Sequence, residues 1–248
     1  MMDELLLLSG NDIPFPIGRI TIHQPRLKEI AYITEERFWG GCELLKFNKE
    51  FLTDEDKNGL SDRSNFNIIM TMIREKNIES QQAKINVLSI FTLLFPTCEI
   101  LLGEKTIQLR NQENGEVSEI TESNFENFKA ILIEMFCLNS DNKEYDPSGG
   151  LAKKIANQIK KGREKKAKLA PENQKISILS RYASVLAVGE KKNLNDLMDY
   201  TVYQLLDEFN RFNLKLKYDS YVQFKCAGAT DMKEPEDWFK DIHDNKNK

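Results

Sequence analysis

The chain has 248 residues, of which 40% are hydrophobic and 30% charged, with 7 Pro, 12 Gly and a formal net charge of −4. That balance supports a sizeable folded core and excludes collagen-like, low-complexity and wholly disordered classes. The acidic total argues against a dedicated nucleic-acid coat, and two histidines leave almost nothing for a His-rich or Cys/His metal site.

Met1-Met2-Asp3-Glu4 puts acid, not base, ahead of the apolar Leu5–Leu8 run, which predicts no secretory signal. The stretch "IGRITIH" (17–23) alternates as a strand, with Ile20 and Ile22 on one face. Pro25 ends it and suits the first turn of a helix, because its missing N–H would be unpaired there anyway. "PRLKEIAYITEERF" (25–38) then reads as one amphipathic helix bearing Leu27, Ile30, Ala31, Thr34 and Phe38.

Residues 54–65 begin like a calcium loop, with Asp54, Asp56, Asn58 and Gly59 in register, but Ser61 and Asn65 stand where an apolar residue and a bidentate Glu are required. A polar loop capping the next helix is the expected reading. Helices follow at about 64–76 and 80–95, the second stopped by Pro96 and too short to span a bilayer. "CEILLGEKTIQLRNQENGEVSEI" (98–120) then breaks into short runs around Asn114-Gly115, a hairpin signal. Ser123 and Glu126 have capping-box spacing ahead of a helix expected to reach residue 138.

"NSDNKEYDPSGG" (139–150) is the expected boundary. The expected organisation is residues 1–140 as an α+β domain, 141–170 as hinge plus basic helix, and 171–248 as a helical domain. Within the middle part Lys153, Lys154, Lys160, Lys161, Arg163, Lys165, Lys166 and Lys168 face Glu164 alone, a local charge of +7. Such a run can meet phosphates, an acidic protein or only water; no aromatic residue interleaves it to stack on bases. Beyond it, 175–188 and 194–212 read as amphipathic helices, and a last one should start at Pro235 and carry Trp238, Phe239 and Ile242. The fold class is therefore mainly α with a minor antiparallel β element, α+β in the N-terminal half and all-helical in the C-terminal half.

No phosphate loop, nucleophile elbow or H-E-x-x-H occurs. Asp207 and Glu208 are adjacent, so they point to different helix faces rather than forming an acid/base pair. His23 has two readings, a general base or a residue that hydrogen-bonds a strand end. Cys42, Cys98, Cys137 and Cys226 are widely spaced and expected to be reduced thiols. No catalytic or metal residue and no cofactor is assigned. Tyr218, Tyr221, Phe224, Trp238 and Phe239 form an aromatic group with two readings, core or protein interface.

At "ITIHQPRLKEIAYITEERF" (20–38) the sequence resembles tail assembly chaperones of tailed bacteriophages of low-GC bacteria. The likeness returns over "LNDLMDYTVYQLLDEFNRFNLKLKYDSYVQFKCAGATDMKEPEDWFKDIH" (194–243). The resemblance implies a non-enzymatic protein of the host cytoplasm that binds the tape measure protein, helps recruit tail tube subunits and is absent from the finished particle. It requires no cofactor, membrane or nucleic acid, and leaves homo-oligomerisation open. The rival readings are a structural virion component, such as a tail completion or connector protein, and a nucleic-acid-binding module using the basic helix. The contact residues expected on chemical grounds are the aromatic group and Lys153, Lys154, Lys160, Lys161, Arg163, Lys165 and Lys166.

Overall fold

A computed structural model of the chain describes residues 2–15, 20–51, 62–138, 177–230 and 233–235. The basic segment, most of the calcium-like loop, Trp238 and Phe239 lie outside them, as does the helix expected after Pro235. The described residues are mainly helical, with two small antiparallel sheets.

Helix α1 (Glu4–Ser9) starts where the Asp3 carboxylate accepts the Leu5 N–H at 2.9 Å, and stops at Gly10, whose φ of 67° is the left-handed conformation that glycine adopts without penalty. Strand β1 (Ile13–Pro14) pairs with β2 (Thr21–Ile22). As the alternation predicts, Ile22 is buried; the paired part of the strand is only two residues long.

The single helix expected over 25–38 is two. Helix α2 (Leu27–Ile33) ends at Thr34, with φ 76° and ψ 141°, and α3 (Glu35–Lys46) begins there. The Thr34 hydroxyl caps α3 by accepting from the Arg37 N–H, and the change of direction turns Phe38, Cys42 and Leu45 into the core. A short 3₁₀ turn follows (Lys49–Phe51). Helix α4 (Asn65–Met72) is capped by Ser64, and α5 (Ile78–Leu94) by Asn77. Asn65, the twelfth position of the calcium-like loop, accepts from the Lys49 N–H and donates to Glu126 at 3.0 Å, so it is engaged in helix packing.

Strands β3 (Cys98–Leu102), β4 (Ile107–Asn111) and β5 (Val117–Ile120) form a meander, with Ile100 opposite Leu109 and Leu109 opposite Ser118. Gly115 takes φ 72° in the β4–β5 connection, where Asn-Gly marks the hairpin; five residues separate the two strands. Ile107, Leu109 and Ile120 point inward. The cap of α6 (Glu122–Met135) is not the expected Ser123–Glu126 box but lies two residues earlier: the Asn124 side chain accepts from the Thr121 N–H at 2.8 Å and donates to the Glu119 carbonyl at 2.8 Å. Asn124 thereby ties the helix start to the end of β5, a job Glu126 is too far along to do.

Helices α7 (Ile178–Gly189), α8 (Leu194–Met198) and α9 (Val202–Cys226) complete the described structure. The expected 194–212 helix is broken at 199–201. There Thr201 and Gln204 form a capping box, with Thr201 N–H donating to Gln204 Oε1 at 2.8 Å and Gln204 N–H to Thr201 Oγ1 at 3.2 Å.

The core centres on Phe128, which meets Phe91 at 5.4 Å, Phe95 at 6.2 Å and Phe15 edge-on at 6.0 Å between ring centroids. Leu179, Ala183, Leu186, Leu197, Val202 and Leu205 belong to the same buried cluster. Segments that the sequence separates into an N-terminal and a C-terminal domain thus share one core: residues up to Leu138 and from Leu179 onward form one compact unit, and Asn139–Ile178 falls in a second that is almost wholly outside the described residues.

Candidate partner-docking site

The two stretches that carry the phage resemblance meet in space. Arg26, just after His-Gln-Pro, bridges to Thr201 as an isolated β pair, and the Leu27 N–H donates to the Tyr200 carbonyl at 2.9 Å. Asp199 accepts from Lys28 Nζ at 2.5 Å and lies 3.6 Å from Arg26. The hydrogen bond and charge of Lys28 hold the Asp199 carboxyl below the usual carboxylate range.

His-Gln-Pro works structurally. The His23 N–H caps the end of α5 by donating to the Leu94 carbonyl at 2.9 Å, while its ring sits between Asp12 (2.9 Å) and Glu29 (3.1 Å). Buried Gln24 donates to the carbonyls of Leu6 and Asn11. Both ring nitrogens of His23 thus face carboxylates, one just ahead of β1 and one on α2. The junction fixes where α9 begins, since Gln204, in its first turn, also donates to the Leu8 carbonyl at 2.7 Å.

Helix α9 changes character along its length. Val202, Tyr203, Leu205 and Asp207 are buried, and Phe209 and Phe212 pack against the core, Phe209 stacking on Tyr182 at 4.0 Å. No residue from Asn213 to Gly228 is buried. Apolar side chains nevertheless continue, on another face. At about 100° per residue, Leu214, Tyr218 and Tyr221 lie roughly opposite the Leu205–Phe209–Phe212 stripe, with Val222 and Phe224 flanking them. Tyr218 is 38% exposed, Val222 40% and Phe224 56%, while Leu214 and Tyr221 are half-buried. Leu216, 46% exposed, continues the inner stripe instead, and the larger group on the opposite face, with Tyr218 and Tyr221 at its centre, is the candidate partner surface.

Of the aromatic group expected from sequence, Tyr218, Tyr221 and Phe224 therefore share one helix end outside the core. Trp238 and Phe239 lie outside the described residues, as do Lys153, Lys154, Lys160, Lys161, Arg163, Lys165 and Lys166. Sequence reasoning missed Leu214 and Val222. The signal was available: Leu214, Tyr218 and Tyr221 are spaced i, i+4, i+7, out of phase with the stripe that ends at Phe212.

An open cleft of about 500 Å³ lies beside the inner half of α9, lined by Leu8, Tyr200, Gln204, Asp207, Arg211 and Phe212 among others. Its charges are mutually paired: Arg211 Nε donates to Asp207 at 3.1 Å, and Lys192 bridges Glu208 and donates to the Tyr200 hydroxyl at 3.1 Å. Asp207 and Glu208 both line this cleft and are held by different cations. No group of three potential metal ligands occurs among the described residues. The thiols of Cys42 and Cys98 are raised by desolvation, and that of Cys137 is pushed up to about 12 chiefly by burial, so these three are poor nucleophiles at neutral pH. No described helix is long and apolar enough to cross a membrane.

Residues 172–243 match the family model described as YomV second domain, a phage-derived family. The match covers α7 to α9 and the exposed end of α9, and it associates this part of the chain with phage proteins. No curated protein and no solved structure matches the chain.

Proposed function

We propose that this chain is a non-enzymatic phage tail assembly chaperone of the host cytoplasm, which binds the tape measure protein and helps recruit tail tube subunits. The observation that carries the reading is the outer half of α9: Tyr218, Val222 and Phe224 are presented to solvent on a helix rooted in the core, inside the segment that matches a phage-derived family. A helix that offers apolar side chains away from its own core suits helix-against-helix packing with a long helical partner, whose apolar faces must be covered before assembly. The phage resemblance of residues 20–38 and 194–243 supports the same reading, and the structure joins these two stretches at Asp199.

The test is affinity capture from cells producing tails, with quantitative mass spectrometry of lysate and purified particles. Capture of the tape measure protein, with absence from particles, is the expected result. Fixed copies per particle would instead make the chain a tail completion or connector component, and no phage partner at all would overturn the phage assignment.

A further inference from the structure

The outer half of α9 is basic as well as apolar. Between Asn213 and Thr230 it carries Lys215, Lys217 and Lys225 against Asp219 alone, in a chain whose net charge is −4. The single acid is spent on Lys215, at 3.3 Å, and that pair lies toward the side away from Tyr221. Lys217 and Lys225 are different. By the helical repeat, Lys217 shares a face with Tyr221 and Phe224 at i, i+4 and i+7, and Lys225 follows Tyr221 at i+4. The Lys225 ammonium stands 5.7 Å from the Tyr221 ring centroid and donates to the Thr230 carbonyl. Among the described residues neither lysine has a carboxylate partner, and both are exposed. The two cations are eight residues apart, about 12 Å along the axis, with Leu214, Tyr218, Tyr221 and Val222 between or beside them.

We propose that this face docks an acidic amphipathic helix: one with an apolar stripe to cover Tyr218, Tyr221 and Phe224, and carboxylates about two turns apart to meet Lys217 and Lys225. The inference rests on the chaperone reading for the identity of the partner, and specifies the chemistry that partner must offer. A second copy of this face is disfavoured by the same charges, because it would bring lysines against lysines across the contact. Apolar contact holds such a complex, and the lysines select among helices and speed encounter.

Two labelled 16-residue helical peptides distinguish this from any sticky-surface explanation. Both carry the same apolar stripe at i, i+3, i+4 and i+7; one has Glu and the other Lys at the flanking positions. By fluorescence anisotropy with the full chain, the Glu peptide should bind about tenfold more tightly than the Lys peptide. Lys217→Glu with Lys225→Glu should reverse the preference, and Tyr221→Ala with Phe224→Ala should weaken both peptides. All four side chains lie outside the core, and circular dichroism checks that each variant folds. Equal binding of the two peptides, or no binding of either, would overturn the inference. Capture of the tape measure protein is scored separately. If it is captured and the double charge reversal leaves capture unchanged, the docking face is wrong while the chaperone reading stands; if peptides discriminate but no tail protein is captured, the face is right and the partner is another acidic helix.

Discussion

Two neighbouring glycines in α3 provide a comparison in which propensity and packing pull in opposite directions. A Cβ added at Gly41 would stand 2.4 Å from Ile90 Cγ1 and 2.7 Å from the Asn86 carbonyl oxygen, which belongs to the backbone of α5. A Cβ at Gly40 would meet Asn86 Nδ2 at 2.5 Å, the far end of a side chain that can swing away. Alanine in place of a helical glycine gains about 0.8–1 kcal/mol of propensity. At position 41 that gain opposes a forced separation of two packed helices, and overpacking of this kind costs about 1–3 kcal/mol. Gly41→Ala should therefore lose its propensity gain and be net destabilising by up to about 2 kcal/mol, while Gly40→Ala should be neutral or stabilising. Urea unfolding followed by Trp39 fluorescence and circular dichroism measures both. If Gly41→Ala raised the midpoint as much as Gly40→Ala, α3 and α5 would not be in close contact at Gly41.

Three further outcomes follow from the packing and charge pairs. Leu186 is fully buried in α7, so Leu186→Ala should cost about 2–5 kcal/mol; because the core is shared, the transition reported by Trp39 should move with it, and an unmoved Trp39 transition would indicate independently folding parts. Thr34→Gly should stabilise by about 1 kcal/mol, since glycine tolerates the positive φ and loses little as a cap, whereas Thr34→Ala keeps the strain and loses the cap; differential scanning calorimetry ranks the three. The Asp199 carboxyl is lowered in the folded state by Lys28, so its contribution is fully present above the ordinary carboxylate pKa of about 3.9 and disappears as pH falls through the lowered value. The gap in unfolding midpoint between wild type and Asp199→Asn should accordingly be constant near neutrality and close below about pH 4; a gap that widened on acidification would refute that sign.

Much of the fold was legible where periodicity and punctuation coincide. Pro96 marks the end of α5, Asn114-Gly115 marks the β4–β5 turn, and Ile20 and Ile22 share a strand face, because each signal acts through its own backbone geometry. The two missed helix breaks show what periodicity cannot report. Thr34 sits in a conformation that a β-branched residue avoids, at the start of a helix that buries Phe38, Cys42 and Leu45. The break at 199–201 was partly readable, since Thr201 and Gln204 have capping-box spacing, but the apolar stripe runs through it unbroken. What no sequence rule supplied was the tertiary link that fixes the break: Tyr200 receiving the Leu27 N–H, and Asp199 receiving Lys28, across more than 170 residues of chain. The candidate site was legible only as a composition. The aromatic residues were visible, but whether they faced core or solvent depended on where the core ended along α9, which is set by α7 and α1 packing against its first turns.

The uninterrupted α9 also has a mechanical consequence. Twenty-five residues of helix extend about 37 Å, and a hydrogen-bonded rod of that length resists torsion, so the bearing of Tyr221 and Phe224 around the axis is locked to the orientation of Leu205 in the core. A partner seated on the outer half is thereby held at a set rotational phase. One residue inserted between Phe212 and Leu214 would turn the outer face by about 100° and two by about 200°, changing its bearing while leaving every residue in it intact.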